Sequence, residues 1–148
     1  MSMKNRMAAC VAGAALACLS FSALAEDHPY SEGPVINVAR IRTVDGHFDD
    51  YMKWLDTEWK RQQEIGKKLG YIVSYQVVTV EPRTPDEPDL LLVTTYKDWA
   101  ALDGALAKGD EVTKQMGQTN EQSNKGQADR ASIRRILGSS TMQVLELK

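Results

Sequence analysis

The amino-acid sequence predicts an α+β fold in which a four-stranded antiparallel sheet carries its helices on one face. Three observations carry that reading. Runs rich in β-branched and aromatic residues recur at strand length over 35–44, 71–80, 89–96 and 141–147. Helical periodicity fills the gap between the first and second runs and part of the gap between the third and fourth. Only the loop "EPRTPDEP" separates the second run from the third, so those two pair as a hairpin. Two right-handed crossovers around that hairpin give the strand order 4-1-3-2.

The first strand, "VINVARIRTV", alternates until Asp45-Gly46 stops it. From His47 to Leu69, Phe48, Met52, Leu55, Trp59, Gly66 and Leu69 recur at near-helical spacing and form one apolar stripe. Asp49 and Asp50 suit the positive end of that helix, Lys67 and Lys68 suit the negative end, and Gly70 closes it. "YIVSYQVVTV" and "DLLLVTTY" are the hairpin strands, and the three prolines between them cannot donate in a ladder. A second helix starts near Asp98, with Trp99, Leu102 and Leu106 on one side, and falters at Gly109. The polar segment 110–127 reads either as an irregular excursion or as a solvated helix inserted before the last strand. In "ADRASIRRILG" the i, i+3, i+4 cluster of Ile133, Ile136 and Leu137 predicts a further helix ending at Gly138, and "TMQVLEL" supplies the last strand.

The N-terminal 25 residues have the layout of a secretory signal: Lys4 and Arg6, an apolar run from Met7, and a closing "ALA". A lipid anchor on Cys18 is the rival reading, disfavoured because "LSFSALA" stays apolar after the cysteine. The expected product is periplasmic or secreted, with a flexible arm at 26–34 and a single domain at 35–148. Both cysteines, Cys10 and Cys18, leave with the signal, which removes thiol chemistry and disulfides. Removal of Lys4 and Arg6 leaves 16 basic against 20 acidic residues, a balance that argues against a nucleic-acid partner. No other run is long and apolar enough for a membrane span.

Arg40 and Arg42 share parity with Ile36, Val38 and Val44 on a central strand, on the face that the helices leave bare. Charges there require a partner. That partner is either Glu146 on the last strand or an anionic ligand held by a bidentate guanidinium. The bare, apolar face is expected to meet a second copy of the chain, making a two-fold homodimer.

"RIRTVDGHFDDYMKWL" and "LLLVTTYKDWAALDGAL" each run from a strand through a turn into a helix. In these segments the chain resembles the dimeric α/β barrel superfamily, whose ferredoxin-like βαββαβ subunits pack sheet to sheet around a lumen. The resemblance is one of shape and hydrophobicity and covers most of 26–148 apart from 110–127. It implies a lumen that binds a small aromatic or anionic molecule, with Arg40, Arg42, Tyr75, Tyr96 and Trp99 as its lining. It also keeps open a cofactor-independent monooxygenase or isomerase, in which an arginine steadies an enolate and Tyr75 or Tyr96 handles the proton. A third alternative is a non-enzymatic interaction module, with the polar insertion or the aromatic pair Tyr51 and Trp54 as contact surface.

No cofactor is expected, since no phosphate loop or nucleophile motif occurs and the second helical region lacks the histidine that haem-degrading relatives use. No metal is expected either: His28 lies in the arm, and His47 beside Asp49 and Asp50 reads as a charge-complemented helix start. Arg130 and Arg134 read as a solvated basic edge, or as a surface docking on an acidic helix or loop. Mass spectrometry of the exported protein is expected to find Glu26 as its first residue; an intact or lipidated N-terminus would refute the cleavage reading.

Overall fold

Strand β1 (Tyr30–Thr43) is the axis of the molecule in the computed structural model, which describes residues 28–148. Residues 1–25, expected from the sequence to be a secretory signal, lie outside the described residues. β1 is followed by a long helix in three parts: α1 (Phe48–Trp54), a π-helical turn (Leu55–Trp59) and α2 (Lys60–Lys68). Then come β2 (Ser74–Thr79), β3 (Leu90–Tyr96), a 3-10 turn (Trp99–Leu102), α3 (Ala105–Gln115), α4 (Asn120–Asp129), a second 3-10 turn (Arg130–Ser132) and β4 (Arg134–Leu147). All strand pairs are antiparallel and the order is β2-β3-β1-β4, the expected 4-1-3-2 read from the other edge. The chain therefore has the ferredoxin-like topology.

Register assigns the faces, because residues paired across a ladder share a side. Ala39 pairs with Leu92 and Ile41 with Leu90, and these four pack with Tyr51, Leu55 and Trp59 of the long helix. The odd-numbered residues of central β1 thus face the helices. The even-numbered residues Ile36, Val38, Arg40 and Arg42, with Leu91, Val93 and Val78 on their rungs, face the other way.

Four boundaries differ from the sequence reading, each for a physical reason. Residues 30–34, expected to belong to a flexible arm, are strand: Tyr30, Ser31 and Glu32 pair with Leu147, Glu146 and Leu145. Pro34 is tolerated because it falls in a register shift between Glu32 and Val35, where no ladder donor is needed.

The buried stripe of the long helix begins at Tyr51, 1% exposed, whereas Phe48 is 39% exposed. The π turn inserts extra backbone below Tyr51 and rotates the first turn relative to the rest, so uniform helical spacing picks the wrong residue.

The second helix does not stop at Gly109. α3 runs through it to bury Val112 and Met116. Beyond Gly117, α4 is the solvated helix among the alternatives for 110–127. It is nucleated by a capping box in which Gln122 N–H donates to Thr119 Oγ1 (3.2 Å) and Thr119 N–H donates to Gln122 Oε1 (2.9 Å).

The helix expected over "ADRASIRRILG" is instead a 3-10 turn running into β4. Ile41 pairs with Ile136 and Arg40 with Gly138, so Leu137 is an extra residue in a bulge. That insertion mimics helical spacing. Gly138 takes φ +126° there, and a Cβ would meet Arg40 Nη2 at 3.3 Å. Gly138→Ala is expected to cost about 1–3 kcal/mol in chemical denaturation. Gly109→Ala, mid-helix with open space around it, is expected to add about 0.5–1 kcal/mol.

Candidate functional site

On the uncovered face, Arg42 stands directly opposite Arg135 of β4, and Arg40 lies opposite Gly138. Like charges paired across strands destabilise unless an anion lies between them. Arg42, Thr43, Val44, Asp45, Pro85 and Arg135 line a cleft of about 330 Å³ at this end of the sheet. Arg135 donates to the Pro85 carbonyl (3.2 Å) and Arg40 to the Leu137 carbonyl (3.4 Å), so both spend their bonds on neutral acceptors. Among the described residues none of the three arginines forms an ion pair, Asp45 notwithstanding. Glu146, the expected structural partner, lies opposite Ser31, and its carboxylate reaches back to Gly33. Gly33 is seven residues, roughly 23 Å, along the strand from Arg40. Glu146 is therefore no partner for either arginine.

The expected aromatic lining is on the other side. Tyr75 pairs with Thr94 and Tyr96 with Val35, both on the helix-facing parity. The Tyr75 hydroxyl donates to Glu64 (2.6 Å), while its ring meets Trp59 edge-on at 5.3 Å. Tyr96 lines a cleft of about 200 Å³ between α2 and α3, together with Tyr71, Ile72 and Lys108. The Trp99 indole donates to Gln143 (3.0 Å). Arg40 and Arg42 are thus separated by the sheet from Tyr75, Tyr96 and Trp99. Within one subunit no substrate can touch both sets, so an arginine–tyrosine pairing for enolate chemistry is not assembled. His47 stands at the helix start with Nδ1 3.0 Å from Asp50, as a charge-complemented start would have it, and His28 stacks on Tyr30.

A second cluster, which the sequence reading placed at the surface, lies under the helices. Arg134 is 7% exposed, its pairing with Thr43 turning it to the helix side. Its guanidinium lies 5.8 Å from the Tyr51 ring centre, and that of Arg130 lies 4.1 Å from the centre of Trp54. Tyr51 and Trp54 are themselves stacked, 5.5 Å apart at 13°. Burial raises the Tyr51 pKa, opposed by the charge of Arg134 and, further off, of Arg130. Burial, and then the charge of Arg134, lower that of Arg130. The sequence signal for this cluster was present: two aromatics three apart, matched by two arginines four apart. It was obscured because Arg134 was assigned to a helix, on which it would point away from the core.

No family model matches this sequence, and no curated protein matches it. Among solved structures the chain is similar to HapK from Hahella chejuensis, with 15% identity, 73% of this chain and 90% of that one covered, and a TM-score of 0.47. A protein from Shewanella oneidensis gives 13%, 79%, 96% and 0.47 in the same terms. A dimeric ferredoxin-like protein from an uncultured marine organism gives 12%, 75%, 95% and 0.43. These are likenesses of fold.

Three tyrosines resist ionisation for different reasons: Tyr51 and Tyr96 through burial, Tyr75 chiefly through its hydrogen bond to Glu64. A phenol whose pKa is raised on folding lends stability that is present below its unfolded value near 10 and lost as pH rises through the folded value. Ultraviolet titration is expected to show delayed phenolate formation. Glu64→Gln should return only Tyr75 toward 10, and the melting temperature should fall above pH 10 less steeply in Tyr51→Phe than in the parent.

Proposed function

We propose that this chain is an exported homodimeric binding protein that holds a small anionic molecule on the uncovered face of its sheet. The observation that carries the reading is the convergence of Arg40, Arg42 and Arg135, without an ion-pair partner among the described residues, at one end of a face that otherwise shows Ile36, Val38, Leu91, Val93 and Val78. Met142, 44% exposed, extends that face across β4. A second copy is the occupant that fits, because a two-fold axis lays the same apolar rungs against themselves. Covering the face also takes water from the arginines, and a buried cation without a counter-charge is costly, so the interface calls for an anion. The ligand is defined by charge rather than by aromatic stacking, since the tyrosines lie behind the sheet. Export rests on the layout of residues 1–25.

Light scattering on the chain starting at Glu26 is expected to give the mass of a dimer. A saturating anion from a panel of phosphate, citrate and benzoate should raise the melting temperature, by the equivalent of about 2.7 kcal/mol at a hundredfold excess over Kd. The double variant Arg42→Gln/Arg135→Gln should lose that rise and remain dimeric. A monomer, or a rise that survives in the double variant, would sink the proposal.

A further inference from the structure

The pair of buried Arg134 and half-buried Arg130 is not part of the sheet-face site and poses a problem of its own. Arg130 and Arg134 close the described helical layer, and the Nε of each is buried with no hydrogen-bond partner. Among the described residues neither forms an ion pair. Two adjacent guanidinium groups, one buried and one partly so, repel each other. The rings of Tyr51 and Trp54, and the Tyr51 hydroxyl beside Arg134, offset this only in part, because the Nε of each arginine keeps no partner. Such a pair is stable when an anion completes it.

Access to Arg130 exists. Trp54, Glu58 and Gln62 of the long helix, Thr113 and Met116 from α3, and Gln122 and Gly126 of α4 surround a cleft of about 190 Å³ with Arg130 in its wall. Gln118 and Ser123 add further hydrogen-bonding groups. The absence of a side chain at Gly126 leaves the room in which Arg130 reaches the cleft, since a Cβ there would lie 3.2 Å from its Nη1. Glu58 shares the wall and Asp129 lies next to Arg130 in sequence, but Asp129 is engaged by Lys125 at 2.7 Å. The cleft thus offers one charged fork, an aromatic floor and several amide and hydroxyl groups. That set suits a small polar acid better than an apolar molecule.

We propose that the cleft between the long helix and α3–α4 is a second binding site, for a small carboxylic acid, in which Arg130 grips the carboxylate and buried Arg134 reinforces the field from behind. The polar insertion then has a role: it is the wall that carries the hydrogen-bonding groups for the rest of the ligand. Glu58, lining the same cleft as Arg130, favours acids that also carry a donor, such as an ammonium group, over bare carboxylates.

Calorimetric titration of the chain starting at Glu26 with succinate, glutamate and inorganic phosphate tests this. Saturable binding of glutamate or succinate is expected, weakened at least tenfold by Arg130→Gln and unchanged by Arg42→Gln; the latter separates it from the sheet-face site. Gly126→Leu fills the cleft while improving helix propensity. It should keep or raise the melting temperature and abolish the binding, which distinguishes a filled site from a damaged fold. Absence of saturable binding for both acids, binding of phosphate alone, or binding that survives in either Arg130→Gln or Gly126→Leu would overturn the proposal.

Discussion

The packing of Tyr51, Leu55 and Trp59 against Ile41, Leu90 and Leu92 decides the rest of the molecule. A strand at the centre of a sheet has two faces, and the helical layer follows from the chain in such a way that it can cover only one of them. Once the odd residues of β1 are buried under the long helix, the even residues have no cover within the chain. The arginines of β1 and β4 are arranged around that asymmetry. Where β1 and β4 run side by side, adjacent arginines on β4 are sent to opposite faces: Arg134 into the helical layer and Arg135 onto the open face.

That division sends one short stretch of sequence into two arginine clusters. They differ in what surrounds the charge. On the open face the arginines stand among aliphatic rungs and donate to backbone carbonyls. Under the helices they lie against aromatic rings, where partial burial and the charge of Arg134 lower the pKa of Arg130. The first setting lies open on the sheet face, whereas the second is flanked by α3 and α4.

Strand order and helix placement were legible in the sequence because crossover handedness and the short loop between 80 and 89 leave few topologies for four strands and two helical regions. The uncovered face of Arg40 and Arg42 was legible too, since parity along β1 survives intact from Val35 to Thr43. Two local insertions hid the remainder. The π turn shifted the helical stripe so that Tyr51 passed as peripheral, and the bulge at Leu137 made a strand look helical and Arg134 look solvent-facing. The aromatic lining was misplaced for a third reason. Tyr75 and Tyr96 do lie near strand ends, but strand position says nothing about face until the register with β1 is known.

The bulge in β4 also bears on how the protein behaves when crowded. Among the described residues β4 is an edge strand of fourteen residues, with Leu145 and Leu147 exposed toward its end. A straight, apolar edge of that length would be a template for runaway strand addition. Here the bulge interrupts the flat run of free backbone groups, and Arg134, Arg135 and the polar stretch from Ser139 to Thr141 flank the break. The irregularity that disguised the strand in the sequence therefore also keeps the chain from polymerising through its own margin.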